Sequence, residues 1–196
     1  MSPPFKPSMP NRDQELMLQV QAGDDVPFAE LVDRFRPRLL RFAQSSLRDE
    51  QLAEDVVQET FLAVFQSRHT YNPSFAFSTW VWTILLNLVR RTRERLTKRR
   101  VRELASGEVR PTPSLSHSAE DREQLDHWLS LIPEAEADAL RLRFFGELSY
   151  DEIAASMECS VSGAKLRVRH GLERLSELAR READAPRSGA SSGEKS

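Results

Sequence analysis

Apolar residues return every three or four positions along most of this chain, the period of one buried helix face. After Gly23 the run Phe28, Leu31, Val32, Phe35, Leu39, Leu40, Phe42, Ala43 and Leu47 keeps that period, with Pro37 inside it as a kink or break, and Asp13 stands ready to cap a shorter helix before it. Val57, Phe61, Val64 and Phe65 form a second stripe, and Val81 to Val89 is the most apolar run. Between Val101 and about Glu120 the periodicity fails. Gly107, Pro111, Pro113 and the serines 106, 114, 116 and 118 mark a flexible linker there. The pattern resumes with Leu125, Trp128, Leu129 and Ile132, ended by Pro133, then Ala135, Ala139, Leu140, Leu142 and Phe144 or Phe145, ended by Gly146. Two small helical units follow from this, at 13–100 and 121–181, with a leader at 1–12, the linker at 101–120 and a Ser/Gly/Ala-rich tail at 182–196.

The second unit carries a local signature. Ser149 and Glu152 have the spacing of a capping box for a helix over Tyr150 to Met157. A short turn at 158–160 follows, and then Val161, Ala164, Val168, Leu172 and Leu175 repeat at threes and fours. Helix, tight turn, helix is a helix-turn-helix. The outer face of its second helix holds Ser162, Lys165, Arg169 and His170, with Arg167 and Arg174 nearby, and the N-terminal half of such a helix fits the major groove. An amphipathic helix with an ordinary basic surface is the plainer alternative.

Charge divides the first unit into three chemically distinct stretches. Asp55, Glu59, Leu62 and Gln66 share one helix face, which by composition alone is a solvated surface. Asp49, Glu50, Glu54 and Asp55 suit the first turns of that helix, where the dipole favours acid, but this does not account for Glu59. Tyr71, Asn72 and Pro73 then break the chain, and Phe75, Phe77, Trp80 and Trp82 fall close together with Ser78 and Thr79 among them. In a superficial loop these rings form a platform for unstacked bases, with either hydroxyl suited to an N-cap; packed inward they are core. From Arg90 to Arg102 eight cations stand against Glu94 alone, a local charge of +7 in a chain of net charge −2. Such asymmetry is the footprint of a polyanion site.

The composition narrows the chemistry further. With 196 residues, 39% hydrophobic and 30% charged, the chain has material for one ordinary or two small domains. A single Cys159 excludes an internal disulfide and reads as a small semi-buried hydrophobe, and His69, His117, His127 and His170 lack metal-ligand spacing. No catalytic constellation, phosphate-binding glycine motif, metal site or cofactor site is expected. Pro3, Pro4, Pro7 and Pro10 crowd a leader without a signal-peptide core, and no stretch reaches the roughly 20 apolar residues of a membrane span, so a cytoplasmic protein without membrane insertion is expected.

The segment DVVQETF, the loop ending in FSTW, the run from Trp82 to Asn87 and the basic tail together resemble region two of the bacterial sigma factors, in the extracytoplasmic-function (ECF) group of the sigma-70 family. The stretch LSLIPEAEADALRLRFFGELSYDEIAASMECSVSGAKLRVRHGLERL resembles region four of the same family. The resemblance covers about residues 13–178 and implies an all-α protein: a region-two bundle and a region-four helix-turn-helix joined by a flexible linker. It implies no enzyme but a specificity subunit whose partners are core RNA polymerase, promoter DNA and an anti-sigma protein, free or membrane-anchored. Asp55, Gln58, Glu59, Leu62 and Phe65 become the candidate polymerase contacts. For recognition and melting of the minus-ten element the candidates are Phe75, Phe77, Ser78, Thr79, Trp80, Trp82, Asn87, Arg90, Arg91 and Arg93. For the minus-thirty-five element they are Ser162, Gly163, Lys165, Leu166, Arg167, Arg169 and His170. Family members often carry Val-Gly-Thr-Val-Lys-Ser-Arg here; Leu166 replaces the hydroxyl, so the docking mode carries over and base preference does not. A stand-alone helix-turn-helix regulator and a protein-binding adaptor are the two rival readings. The aromatic loop set between an acidic and a basic helix argues against both.

Overall fold

The computed structural model describes residues 12–106 and 120–184, and the anticipated leader, linker and tail lie mostly outside these. Every regular element in the described residues is helical.

Helix α1, Arg12–Gln21, buries Leu16, Met17 and Val20, with Asp13 in its first turn paired to Arg34 at 3.0 Å instead of capping it. Helix α2, Val26–Leu47, lays Leu31, Phe35, Leu39 and Phe42 into the core. It runs unbroken through Pro37, which the sequence offered as a kink or break; the ring is exposed, while Phe35 and Leu39 anchor the helix on either side. Helix α3, Glu50–Gln66, starts where the Asp49 carboxylate accepts the Leu52 amide at 3.0 Å, and it buries Val56, Val57, Phe61 and Val64. After a 3-10 turn at Arg68–Thr70 comes α4, Phe77–Ser106, with 30 residues. At 1.5 Å per residue it is about 45 Å long. Only its first half is core: Phe77, Val81, Trp82, Leu85, Leu86 and Val89 are its buried residues. The helix continues past position 100, so the first six linker positions are helical. Its cationic half therefore projects from the bundle.

The second unit comprises α5 (Glu120–Leu131), α6 (Glu134–Phe144), α7 (Tyr150–Ser156) and α8 (Val161–Asp184). The capping box read from Ser149 and Glu152 is present in both directions. Leu140, Leu142, Leu148, Ile153, Met157, Ala164 and Val168 fill the space between α6, α7 and α8. Gly171 lets α8 close on α6, for a Cβ there would sit 2.7 Å from Leu140 Cδ1.

The two units pack together. Helix α7 lies against α4 and α6 against α2, and the backbone of Gly146 abuts Trp82, where an added Cβ would come within 3.0 Å of the indole.

Candidate polymerase and nucleic-acid interfaces

On α3 the side turned away from the core shows Asp55, Gln58, Glu59 and Leu62, all exposed, with Leu62 58% accessible. Glu54, one turn earlier, is committed to Arg36 at 2.8 Å, and Gln51 bonds Asp55 at 3.3 Å. Phe65 differs from its companions. It is half-buried, with its ring 5.1 Å from Phe28 and the Arg68 guanidinium 4.3 Å above it. The result is a carboxylate-bearing surface with one exposed aliphatic side chain, a match for a basic, partly apolar partner.

The aromatic loop after α3 is held from behind by α1. Gln21 Nε2 donates to the Arg68 and Tyr71 carbonyls at 2.7 and 2.9 Å, while Gln14 Nε2 donates to those of Pro73 and Phe75 at 3.3 and 3.2 Å. Tyr71 donates its hydroxyl to the Phe75 carbonyl at 2.8 Å, and burial pushes that phenol up to about 12. These three clamps were not recognised in the sequence; the signal was two glutamines seven apart, hence on one face of α1. The clamps present Phe75 outward, 59% exposed, and Trp80 stands half-buried against Tyr71 with centroids 5.1 Å apart.

Phe77 and Trp82, expected on the nucleic-acid surface, are core residues at 1% and 0% exposure. Phe77 packs edge-on to Phe35 and Trp82 to Phe42, because α4 begins at Phe77 and its period turns positions 77, 81, 82, 85 and 86 inward. Neither ring is available for stacking. That same start places Ser78 and Thr79 inside the first turn, not at the N-cap. Ser78 donates to Glu152 across the unit boundary, and the Thr79 carbonyl accepts from Ser156 at 3.4 Å.

Further along α4, Asn87 and Arg91 are exposed and Arg90 is half-buried. Arg95, Lys98 and Arg100 extend the positive surface, with Arg99 tied to Glu103 at 2.7 Å. Arg93 is engaged, donating to both Asp138 oxygens at 2.8 and 3.1 Å and also to Glu134. Burial works against its charge, but Asp138 and Glu134 outweigh this and hold its pKa above the ordinary value. Beneath it lies a cluster that no sequence pattern announced. Arg141 and Asp138 are 4% and 1% exposed and 3.4 Å apart, and Arg141 also donates to Ser45 Oγ and the Ser45 carbonyl, each at 3.0 Å. Burial lowers the Arg141 pKa to about 10, partly offset by Asp138, so it stays charged at neutral pH.

In the helix-turn-helix, Ser162, Lys165, Leu166 and Arg169 are exposed on α8, while Gly163, Arg167 and His170 are half-buried. The Gly163 amide donates to Ser160 Oγ at 3.0 Å, which satisfies one free donor of the helix start. Arg167 reaches back to Met157 Sδ at 3.9 Å, and Arg169 meets Glu173 at 3.7 Å. Tyr150 was not among the expected residues. Its ring lies 5.7 Å from Lys165 Nζ and 5.2 Å from the Arg143 guanidinium, so it steers both cations. Among the described residues no helix is long and apolar enough to cross a membrane, and no group of three His, Cys, Asp or Glu is placed to hold a metal ion.

Comparison with known proteins agrees with this geometry. Residues 31–100 match the family model for sigma-70 region 2, and residues 122–175 match that for sigma-70 region 4. RNA polymerase sigma factor CarQ of Myxococcus xanthus is 33% identical over 166 residues, covering 83% of this chain and 94% of that protein. The ECF RNA polymerase sigma factor RpoE of Cereibacter sphaeroides is 29% identical over 158 residues, covering 78% and 86%. Among solved structures, the sigma factor RpoE bound to the anti-sigma factor NepR from Bartonella quintana is similar at 25% identity and a TM-score of 0.66, over 78% of this chain and 96% of that one. CnrH in complex with the cytosolic domain of CnrY shares the fold, with a TM-score of 0.70 at 24% identity over 89% and 100% of the two chains. With an acidic helix, a clamped aromatic loop, a cationic helix and a helix-turn-helix in that order, and both regional matches on the same segments, the chain belongs to the sigma-70 family as an ECF-type RNA polymerase sigma factor.

Proposed function

We propose that this sigma factor docks on core RNA polymerase through Asp55, Gln58, Glu59 and Leu62 of α3, with Phe65 bracing the end of that face. The observation that carries the reading is that all four are exposed on one helix whose opposite side is fully engaged in the core. Charge on such a surface speeds and orients docking, and the exposed leucine adds apolar contact. The loop and α4 then open the minus-ten element. Extruding a base costs a few kcal/mol, and stacking on an aromatic returns about 1–3 kcal/mol. The stacking rings in this reading are Phe75 and Trp80, the groups for base edges Asn87 and Ser78, and the phosphate contacts Arg90, Arg91 and Arg93; Ser78 and Arg93 reach DNA only by giving up Glu152 and Asp138. Helix α8 enters the major groove of the minus-thirty-five element with Ser162, Lys165, Leu166 and Arg169, and Arg167 and His170 flank it.

In this reading the polymerase supplies the chemistry and the sigma factor has no catalytic site. It works in the cytoplasm, where an anti-sigma protein, free or membrane-anchored, holds it in reserve. Support for that last step comes from the similar RpoE, which is seen with the anti-sigma factor NepR. The test is titration of fluorescently labelled full-length protein with core polymerase. Changing Asp55 and Glu59 to alanine should weaken core binding while the circular dichroism spectrum stays unchanged. Equal affinity of the double variant and the wild type would remove α3 as the docking face.

A further inference from the structure

The backbone of the aromatic loop is held more closely than the rings it carries. A glutamine amide has two N–H donors on one nitrogen, so a single side chain can bridge two carbonyls. Two glutamines of α1 do this: Gln21 spans the Arg68 and Tyr71 carbonyls, and Gln14 spans those of Pro73 and Phe75. Being seven residues apart, they stand two turns and about 10.5 Å from each other along α1, a ladder that follows the loop from its root to its tip. The loop adds a turn of its own, in which the Asn72 side chain accepts the Ser74 amide at 2.9 Å and the Asn72 carbonyl accepts the Phe75 amide at 3.1 Å. Tyr71 completes the arrangement. Its hydroxyl donates to the Phe75 carbonyl, which therefore accepts from two sides, while its ring packs against Trp80 at 5.1 Å and the buried Phe77 at 6.0 Å. Phe75, whose ring is exposed, is thus placed by its peptide group, and one tyrosine ties it to Trp80.

We infer that Gln14 and Gln21 of α1 are positioning residues for promoter opening, which fix the separation of Phe75 and Trp80 before any base leaves the duplex. A loop ordered in advance spends none of the stacking energy on its own ordering, so more of it is left to hold an extruded base. Neither glutamine needs to touch DNA, and neither belongs to the polymerase face of α3. The inference rests on the reading of Phe75 and Trp80 as the stacking rings made above.

Gln14→Met and Gln21→Met test it, since methionine keeps the length and helix propensity of glutamine and removes the donors. Holoenzyme is assembled from core polymerase and the full-length protein on a promoter taken from the start sites that the wild type confers on genomic fragments. Opening is followed by permanganate reactivity of unpaired thymines, and its dependence on holoenzyme concentration separates closed-complex affinity from the opening rate at saturation. Each variant should keep the core binding and closed-complex affinity of the wild type and open about fivefold or more slowly, the effect of losing one or two hydrogen bonds. A template already unpaired across the minus-ten element should restore full initiation at saturating holoenzyme. A double variant shows whether Gln14 acts through the ring: once Phe75 is replaced by alanine, Gln14→Met should slow opening no further.

Opening at the wild-type rate by both methionine variants, or a fully additive loss in the double variant, would overturn the inference and leave the stacking reading in place. So would a loss of core binding or closed-complex affinity as large as the loss in opening, since the glutamines would then serve the fold alone. Unchanged opening by both Phe75→Ala and Trp80→Ala would remove the stacking reading, and the inference with it.

Discussion

Replacing Asp138 by alanine should cost more stability than replacing its partner Arg141, although both are buried in one ion pair. Asp138 is 1% exposed and Arg141 4%. Without Asp138, the Arg141 guanidinium keeps Ser45 Oγ and the Ser45 carbonyl, both at 3.0 Å and both uncharged, and only the more distant charge of Asp126 behind Ser45. An arginine left buried without its counter-charge costs about 3–5 kcal/mol. The reverse change is milder. Without Arg141, Asp138 still has both prongs of Arg93 at 2.8 and 3.1 Å, so its charge remains compensated. What disappears is the pair of bonds to Ser45, worth about 1–3 kcal/mol together. The difference between the two variants is therefore about 2 kcal/mol, taken from these ranges. Urea unfolding of the full-length protein, followed by far-UV circular dichroism, reads both values against wild type. A cost for Asp138→Ala no larger than that for Arg141→Ala would mean that Arg93 does not hold Asp138 or that Arg141 is not desolvated.

Three further outcomes are expected. Gly171→Ala gains about 1 kcal/mol in helix propensity but forces a Cβ to 2.7 Å from Leu140 Cδ1 and 3.0 Å from its Cγ, so it should lower the melting temperature, and its cost should shrink when Leu140→Ala is added. Burial raises the pKa of Glu152, but the bonds from Ser78 and Ser149 and the charge of Arg38 outweigh this and leave it below the ordinary value. Its stabilisation is thus present above about pH 4.5 and lost as pH falls further, so the acid limb of the unfolding free energy should flatten in Glu152→Gln. The Tyr71 phenol, raised to about 12, should make stability fall as pH rises above its ordinary 10, and Tyr71→Phe should remove that alkaline slope in the same assay.

Periodicity made the helices of this fold legible, since a buried face leaves its spacing in the sequence whatever it packs against. The Ser149–Glu152 box was equally readable, because a cap is a local bond between residues three apart. Asp49 was expected only as an acid favoured by the dipole of the first turns, and it proves to cap α3. The aromatic cluster was harder. Phe75, Phe77 and Trp82 look alike in sequence, and only the start of α4 at Phe77 decides that the first faces solvent while the other two enter the core. The contacts between the two units were not legible at all. Ser45 on α2, Arg93 on α4 and the Asp138–Arg141 pair on α6 are far apart in the chain, and each is an ordinary polar residue in its helix. Their pairing depends on tertiary packing, which leaves no periodic trace. Gln14 and Gln21, the clamps on the loop, fall between these cases: their spacing placed them on one face of α1 but could not say what that face holds.

A sigma factor confers promoter-specific initiation on core RNA polymerase, and transcription by core polymerase, with and without this protein, on a pool of genomic fragments from the cell that encodes it reads that property, with the 5′ ends of the transcripts mapped by sequencing. New start sites should arise only when the protein is present, each preceded by shared sequence elements near minus ten and minus thirty-five, and should be lost when Asp55 and Glu59 are changed to alanine. No new start sites, together with tight binding of duplex DNA by the protein alone, would contradict this and point to a stand-alone helix-turn-helix regulator.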